Sequence, residues 1–112
     1  MAHKITKYHK ILCQYLGEYA QERSTSEHEY QFIVDKEHHH YQVVRIGWEN
    51  GIFKCLVIFH LQIKETGKIW LYVNRTDIEI DEELAILGIP FSEMVIAFHP
   101  PELRPHTKYA VG

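Results

Sequence analysis

From Phe53 to Ile63 the side chains alternate. Phe53, Cys55, Val57, Phe59, Leu61 and Ile63 share one parity, and Lys54, His60, Gln62 and then Lys64 take the other. A period of two is the repeat of a half-buried strand. Asn50-Gly51 precedes this run, the strongest short hairpin signal, and Glu65-Thr66-Gly67 follows it as a second turn. Links this short force antiparallel neighbours, because a parallel crossover needs roughly a dozen residues or more. The pattern therefore predicts a meander with strands over 29–35, 39–49, 52–65 and 68–74, and places Cys55 in the core.

Flanking segments supply helices. Ile5, Tyr8, Leu12, Tyr15 and Tyr19 recur at spacings of three and four, with Ile11 and Leu16 widening the stripe; this predicts an amphipathic helix over 4–22. Its charges are ordered, with His3, Lys4, Lys7, His9 and Lys10 early and Glu18 and Glu22 late. That polarity opposes the helix dipole, so it does not serve helix stability. Thr76-Asp77-Ile78-Glu79 has the form of a capping box. The helix after it is expected to bury Ile80, Leu84 and Leu87 and to stop at Gly88. Val95–Phe98 reads as a last strand or an extended segment on the sheet. The fold class is α+β: an antiparallel meander of four to five strands packed with an N-terminal amphipathic helix and a C-terminal helix.

At 112 residues, 46% apolar and 24% charged, the chain has the size and composition of one globular domain, 1–112. No apolar run approaches the roughly 20 residues that cross a bilayer. The basic start lacks an apolar stretch behind it, so no secretory signal is expected. Two cysteines, Cys13 and Cys55, are too few for a disulfide scaffold. A cytoplasmic protein with reduced thiols and no membrane contact is the expectation. The net charge of −3 argues against autonomous binding of duplex DNA, which needs a basic surface to displace counterions.

Catalytic and metal signatures are thin. In His38-His39-His40 adjacent side chains point to opposite faces of a strand, so the three cannot hold one ion together; His60 or His99 would have to join them. No serine has a nucleophile-elbow context, and no glycine-rich phosphate loop appears. Neither a cofactor nor a metal is expected, and no catalytic residue. The segment 81–95 has the cadence of a helix-turn-helix, yet its second helix carries no Arg, Lys, Asn or Gln to read base edges.

The second parity of the sheet is more informative. His60 and Gln62, with Leu56 and Ile58 beside them, share it with Trp70 and Tyr72, a composition suited to an interaction surface. The competing reading is that the first helix covers this face. An exposed aromatic face is also compatible with a homodimer.

Several stretches together carry a family resemblance: His40-Tyr41-Gln42-Val43-Val44-Arg45-Ile46-Gly47-Trp48, Gly67-Lys68-Ile69-Trp70, Thr76-Asp77, Gly88-Ile89-Pro90 and Ala97-Phe98-His99-Pro100-Pro101 with Arg104, Thr107 and Ala110-Val111. In order and spacing the chain resembles the XisI family, small proteins named as controlling factors for excision of the fdxN element in cyanobacteria. It departs modestly at Asn74-Arg75 and at the extra His38 and His39. The resemblance implies an accessory, non-catalytic role in site-specific DNA rearrangement, a XisH-like, nuclease-resembling partner, and only indirect contact with nucleic acid. Candidate partner-binding residues are His60, Trp70, Tyr72, His99 and Arg104. The alternatives are a direct DNA-binding accessory factor using Lys4, Lys7, Lys10, Arg104 and Lys108, and an antitoxin-like inhibitor of a nuclease.

Overall fold

The computed structural model describes residues 2–112. In chain order the elements are α1 (Ala2–Arg23), β1 (His28–Asp35), β2 (His40–Glu49), β3 (Ile52–Ile63), β4 (Ile69–Asn74), α2 (Ile80–Leu87) and β5 (Met94–Ile96), with 3₁₀ turns at Phe91–Glu93 and Pro101–His106. One sheet holds all five strands in the order β1-β2-β3-β4-β5. The first four are antiparallel, as their short links require. The hairpin between β2 and β3 turns at Asn50 (φ 51°) and Gly51 (φ 76°), the pair of positive dihedrals that a type I′ turn demands. By contrast β5 lies parallel to β4, Val95 beside Trp70, because the chain returns through α2 over a crossover long enough to restore its direction. It ends at Ile96, short of Phe98, which is exposed beyond it.

α1 covers one face. Tyr8, Leu12, Leu16 and Ala20 are buried in a single cluster with Tyr41, Val43, Phe59, Leu61, Ile63, Ile69 and Leu71. Ile5, Ile11, Tyr15 and Tyr19 flank that stripe. Leu12 and Leu16 are wholly buried, each contributing about 1.5–3 kcal/mol. The rings of Tyr19 and Phe59 meet edge to face at 5.1 Å.

The alternation in β3 does not run unbroken. Val43 pairs with Phe59 but Val44 pairs with Val57, leaving Ile58 as an extra residue. This β-bulge reverses the phase of the strand. Phe59, Leu61 and Ile63 face α1, and so do Leu56 and Ile58. Phe53 and Cys55 point the other way and are exposed. The expected core placement of Phe53, Cys55 and Val57 is thus corrected, as is that of Leu56 and Ile58 on the outer parity. The bulge is anchored by the carbonyl of Ile58, which accepts from Arg75 N–H at 2.9 Å.

Two further expectations change. Thr76 does not cap α2: its hydroxyl donates to Asn74 Oδ1 at 2.7 Å and accepts from Ile78 N–H at 3.0 Å. Held in that turn, it delays the helix to Ile80, with Glu79 at the cap and no side-chain bond there. Ile80 and Leu84 are buried, whereas Leu87 is 49% exposed. Gly88 (φ 116°) ends the helix in the left-handed conformation, its N–H donating to Ala85 O and that of Ile89 to Leu84 O, the Schellman arrangement. After Gly88 come a single 3₁₀ turn and β5, so no recognition helix exists in this segment.

The bulge gives two phenylalanines of one parity opposite fates. Phe59→Ala should lower the unfolding free energy by about 3–5 kcal/mol, and Phe53→Ala by about 1 kcal/mol or less. Urea denaturation measures both; equal losses would mean that the strand keeps one phase throughout.

Candidate functional site

The face opposite α1 is built by the remaining parity of each strand. β1 contributes Glu29, Gln31, Ile33 and Asp35; β2 contributes His40, Gln42, Val44, Ile46 and Trp48; β3 contributes Phe53, Cys55, Val57, His60 and Gln62; β4 contributes Trp70 and Tyr72. Neither helix covers it. Trp48 and Phe53 sit at one end, 66% and 53% exposed, with ring centroids 5.6 Å apart. The contest between a helix-covered and an open aromatic face is settled in favour of the open one.

At the other end the polar groups converge. His40 Nδ1 lies 3.0 Å from His60 Nε2, and the His60 ring is 5.0 Å from that of Tyr72. Tyr72 donates its hydroxyl to Gln62 Oε1 at 2.7 Å. A second bulge makes this possible: His60 pairs with Val73 and Leu61 with Leu71, so Tyr72 is the extra residue. Trp70 sits between two cations, Lys64 Nζ at 4.0 Å and the Arg104 guanidinium at 5.4 Å from its ring. Such contacts orient the indole and add about 0.5–1 kcal/mol each at exposed sites.

Arg104 is fixed by main-chain carbonyls, donating to Ala97 O at 3.2 Å, His99 O at 3.3 Å and Val111 O at 3.4 Å. The C-terminal segment also donates from Ala110 N–H to Met94 O at 2.8 Å. Val95, on Trp70's side of the sheet, is fully buried outside the helix-side cluster, as the segment's packing over β5 requires. Of the five candidate residues, His60, Trp70 and Tyr72 share one patch and Arg104 joins them through Trp70. The His99 ring instead packs by Phe98 and Tyr109; only its carbonyl serves the patch. Phe53 and Cys55 reach this surface through the bulge, of which the sequence carries no mark, and Trp48 lies opposite Phe53 on β2.

The histidine triplet disperses. His38 bonds Asp35 Oδ2 at 3.0 Å, His39 turns at φ 56°, and His40 meets His60. Among the described residues no group of three or more His, Cys, Asp or Glu converges as a metal site would require. One Cys–His pair lies on the helix side, Cys13 Sγ 3.5 Å from His9 Nε2, with His9 Nδ1 2.6 Å from Tyr41 Oη. Burial raises the thiol pKa and lowers that of the imidazole, so both rest neutral near pH 7, the reverse of an activated thiolate.

The fold and this face define a class: a small α+β protein with one helix-covered and one open, aromatic sheet face. The comparisons then give the family. The model described as XisI protein matches residues 1–111, and the chain belongs to the XisI family. Two solved structures are similar over nearly their full lengths. A XisI-like protein from Anabaena variabilis ATCC 29413 has 35% identity and a TM-score of 0.88, covering 96% of this chain and 99% of that one. The fdxN element excision controlling factor XisI from the same strain has 26% identity and a TM-score of 0.81, covering 97% and 99%. Among curated proteins there is no match. No helix among the described residues is long and apolar enough to cross a membrane.

Burial, and secondarily the His40 charge, lowers the pKa of His60 from the ordinary 6.5. The unfolded chain therefore binds this proton more readily, and stability is complete above the unfolded value and falls as the pH drops through it. His9 shifts the same way, while the lowered carboxylates Asp35 and Glu49 start from 3.8 and 4.5 and titrate below this window. Urea midpoints should fall from about pH 7.5 to 5.5, and His60→Gln should flatten that fall; an unchanged slope in the variant would remove His60 from this role.

Proposed function

We propose that this chain is a non-catalytic accessory factor resembling the controlling factor for fdxN element excision, and that it acts by binding a XisH-like partner protein on the open sheet face. The observation that carries the reading is the helix-free sheet face, with exposed Trp48 and Phe53 at one end and half-buried His60, Trp70 and Tyr72 at the other, on a chain that matches the XisI family over residues 1–111. Aromatic residues with few charges and a polar rim are the composition of a protein-binding core. Arg104, immobilised by three carbonyls, holds its guanidinium over the Trp70 ring, so the pair is ordered before any partner binds.

Several of the cations that a direct DNA-binding reading would use are occupied. Lys4 pairs with Glu93, Arg104 holds carbonyls, and Lys108 Nζ lies 4.0 Å over the Phe91 ring. Contact with DNA through the partner fits this surface better, and an antitoxin-like inhibitor would use the same face in another biological setting.

Coexpression of a XisH-like protein with this chain should give a stable complex. Trp70→Ala and Tyr72→Ala should each weaken it at least about tenfold, or ~1.4 kcal/mol, while Gln21→Ala on the exposed side of α1 should leave it unchanged. Separate elution of the two proteins at micromolar concentration, or a salt-dependent gel shift by the isolated chain on the element's borders, would contradict the reading.

A further inference from the structure

The helical layer carries a second unpartnered surface. Ile86 is 85% and Leu87 49% exposed on α2, side by side at a groove lined with Ile11, Gln14, Tyr15, Glu18 and Glu83, about 390 Å³ in volume. Ile11 and Leu87 also line a neighbouring groove with His3, Thr6, Lys7 and Lys10. An apolar centre is thus flanked by an acidic groove on one side and a basic groove on the other.

The charge order along α1 gives this arrangement a symmetry. His3, Lys7, Lys10, Gln14, Glu18 and Glu22 are all exposed and recur at spacings of three and four, so they line the solvent side of the helix. Gln14 lies midway between Lys10 and Glu18, each about 6 Å from it along the axis, with Lys7 and Glu22 about 10–12 Å away. Reversal of the helix about Gln14 exchanges basic for acidic positions. The order opposes α1's own dipole, and Lys7 and Lys10 form no ion pair with a carboxylate among the described residues.

We propose that two copies of this chain associate through this layer, with their α1 helices antiparallel about a two-fold axis near Gln14. Lys10 of each copy faces Glu18 of the other, and the Ile11, Ile86 and Leu87 patches come together beside them. A two-fold interface must be self-complementary, and a strip that is basic, neutral and then acidic meets that condition only when antiparallel. The two helix dipoles then also oppose. The inference goes beyond the partner-binding reading and does not rest on it, because it uses the opposite side of the molecule and leaves the sheet face open. The implied assembly is two chains back to back, each presenting an aromatic sheet outward.

Sedimentation equilibrium of the purified chain tests it. The chain should dimerise in the micromolar range and less tightly at high salt, since exposed charges are screened over about 10 Å at 0.1 M. Lys10→Glu and Glu18→Lys alone should each weaken the dimer at least about tenfold, since each places like charges together twice per dimer. The double variant Lys10→Glu/Glu18→Lys, with unchanged net charge, should restore it. Both positions are exposed, and circular dichroism checks that each variant folds. In a Cys13→Ser/Cys55→Ser background, Gln14→Cys should oxidise to a covalent dimer. A monomer at every concentration, single reversals without effect, no rescue in the double variant, or cross-linking through native Cys55 but not through Gln14→Cys would each overturn the proposal.

Discussion

One extra residue in β3 sets the character of this molecule. Ile58 has no partner on β2, and from that point the strand presents the opposite parity to α1. The consequence is arithmetic, because a strand's side chains repeat every two residues and a slip of one exchanges its faces. Phe59, Leu61 and Ile63 enter the core, while Phe53 and Cys55 are sent to solvent beside Trp48 and Ile46. The slip is stabilised on both sides: the Ile58 side chain is buried with the core, and its carbonyl takes the Arg75 amide. An unsatisfied buried carbonyl would cost about 1–3 kcal/mol, so the chain beyond β4 helps hold the bulge.

That geometry divides the labour between the faces. An antiparallel sheet needs only one covered face, and α1 with α2 provides the cover. The open side then collects aromatic rings in numbers beyond what solubility favours, oriented by cation contacts, the His40–His60 pair and the Tyr72–Gln62 bond. The C-terminal segment covers the β5 edge of this face and fixes Arg104 beside Trp70. The basic residues at the start of α1 also serve the tertiary fold. Lys4 pairs with Glu93, and the Lys7 ammonium lies against Gly88 at the C-terminal end of α2, which has no basic residue of its own in its last turn. A cation there suits the α2 dipole, so what works against one helix supports another.

Much of this is legible in the residues. The N-terminal helix, the four antiparallel strands, the Asn50-Gly51 hairpin and the Gly88 stop follow from periodicity and turn chemistry, which are local. The bulge is not legible, because Cys55-Leu56-Val57-Ile58-Phe59 is apolar in both parities and either phase satisfies the pattern. The capping signal at Thr76 misled for a related reason: Asn74 competes for its hydroxyl, and only the tertiary turn decides the winner. The direction of β5 was equally hidden, since it depends on where the α2 crossover lands. As for the candidate site, His60, Trp70 and Tyr72 were found by parity and Arg104 by its place in the tail motif, while Trp48 and Phe53 required the fold.

On the proposed reading, the open sheet face is held by another protein. Hydroxyl-radical footprinting reads side chains directly: the chain is oxidised alone and with a XisH-like partner, and the labelled residues are compared by mass spectrometry. Trp48, Phe53, Trp70 and Tyr72 should lose most of their labelling in the complex, with Ile86 and Leu87 unaffected. Unchanged labelling of the four aromatics in a formed complex, or protection confined to the helical layer, would contradict the account.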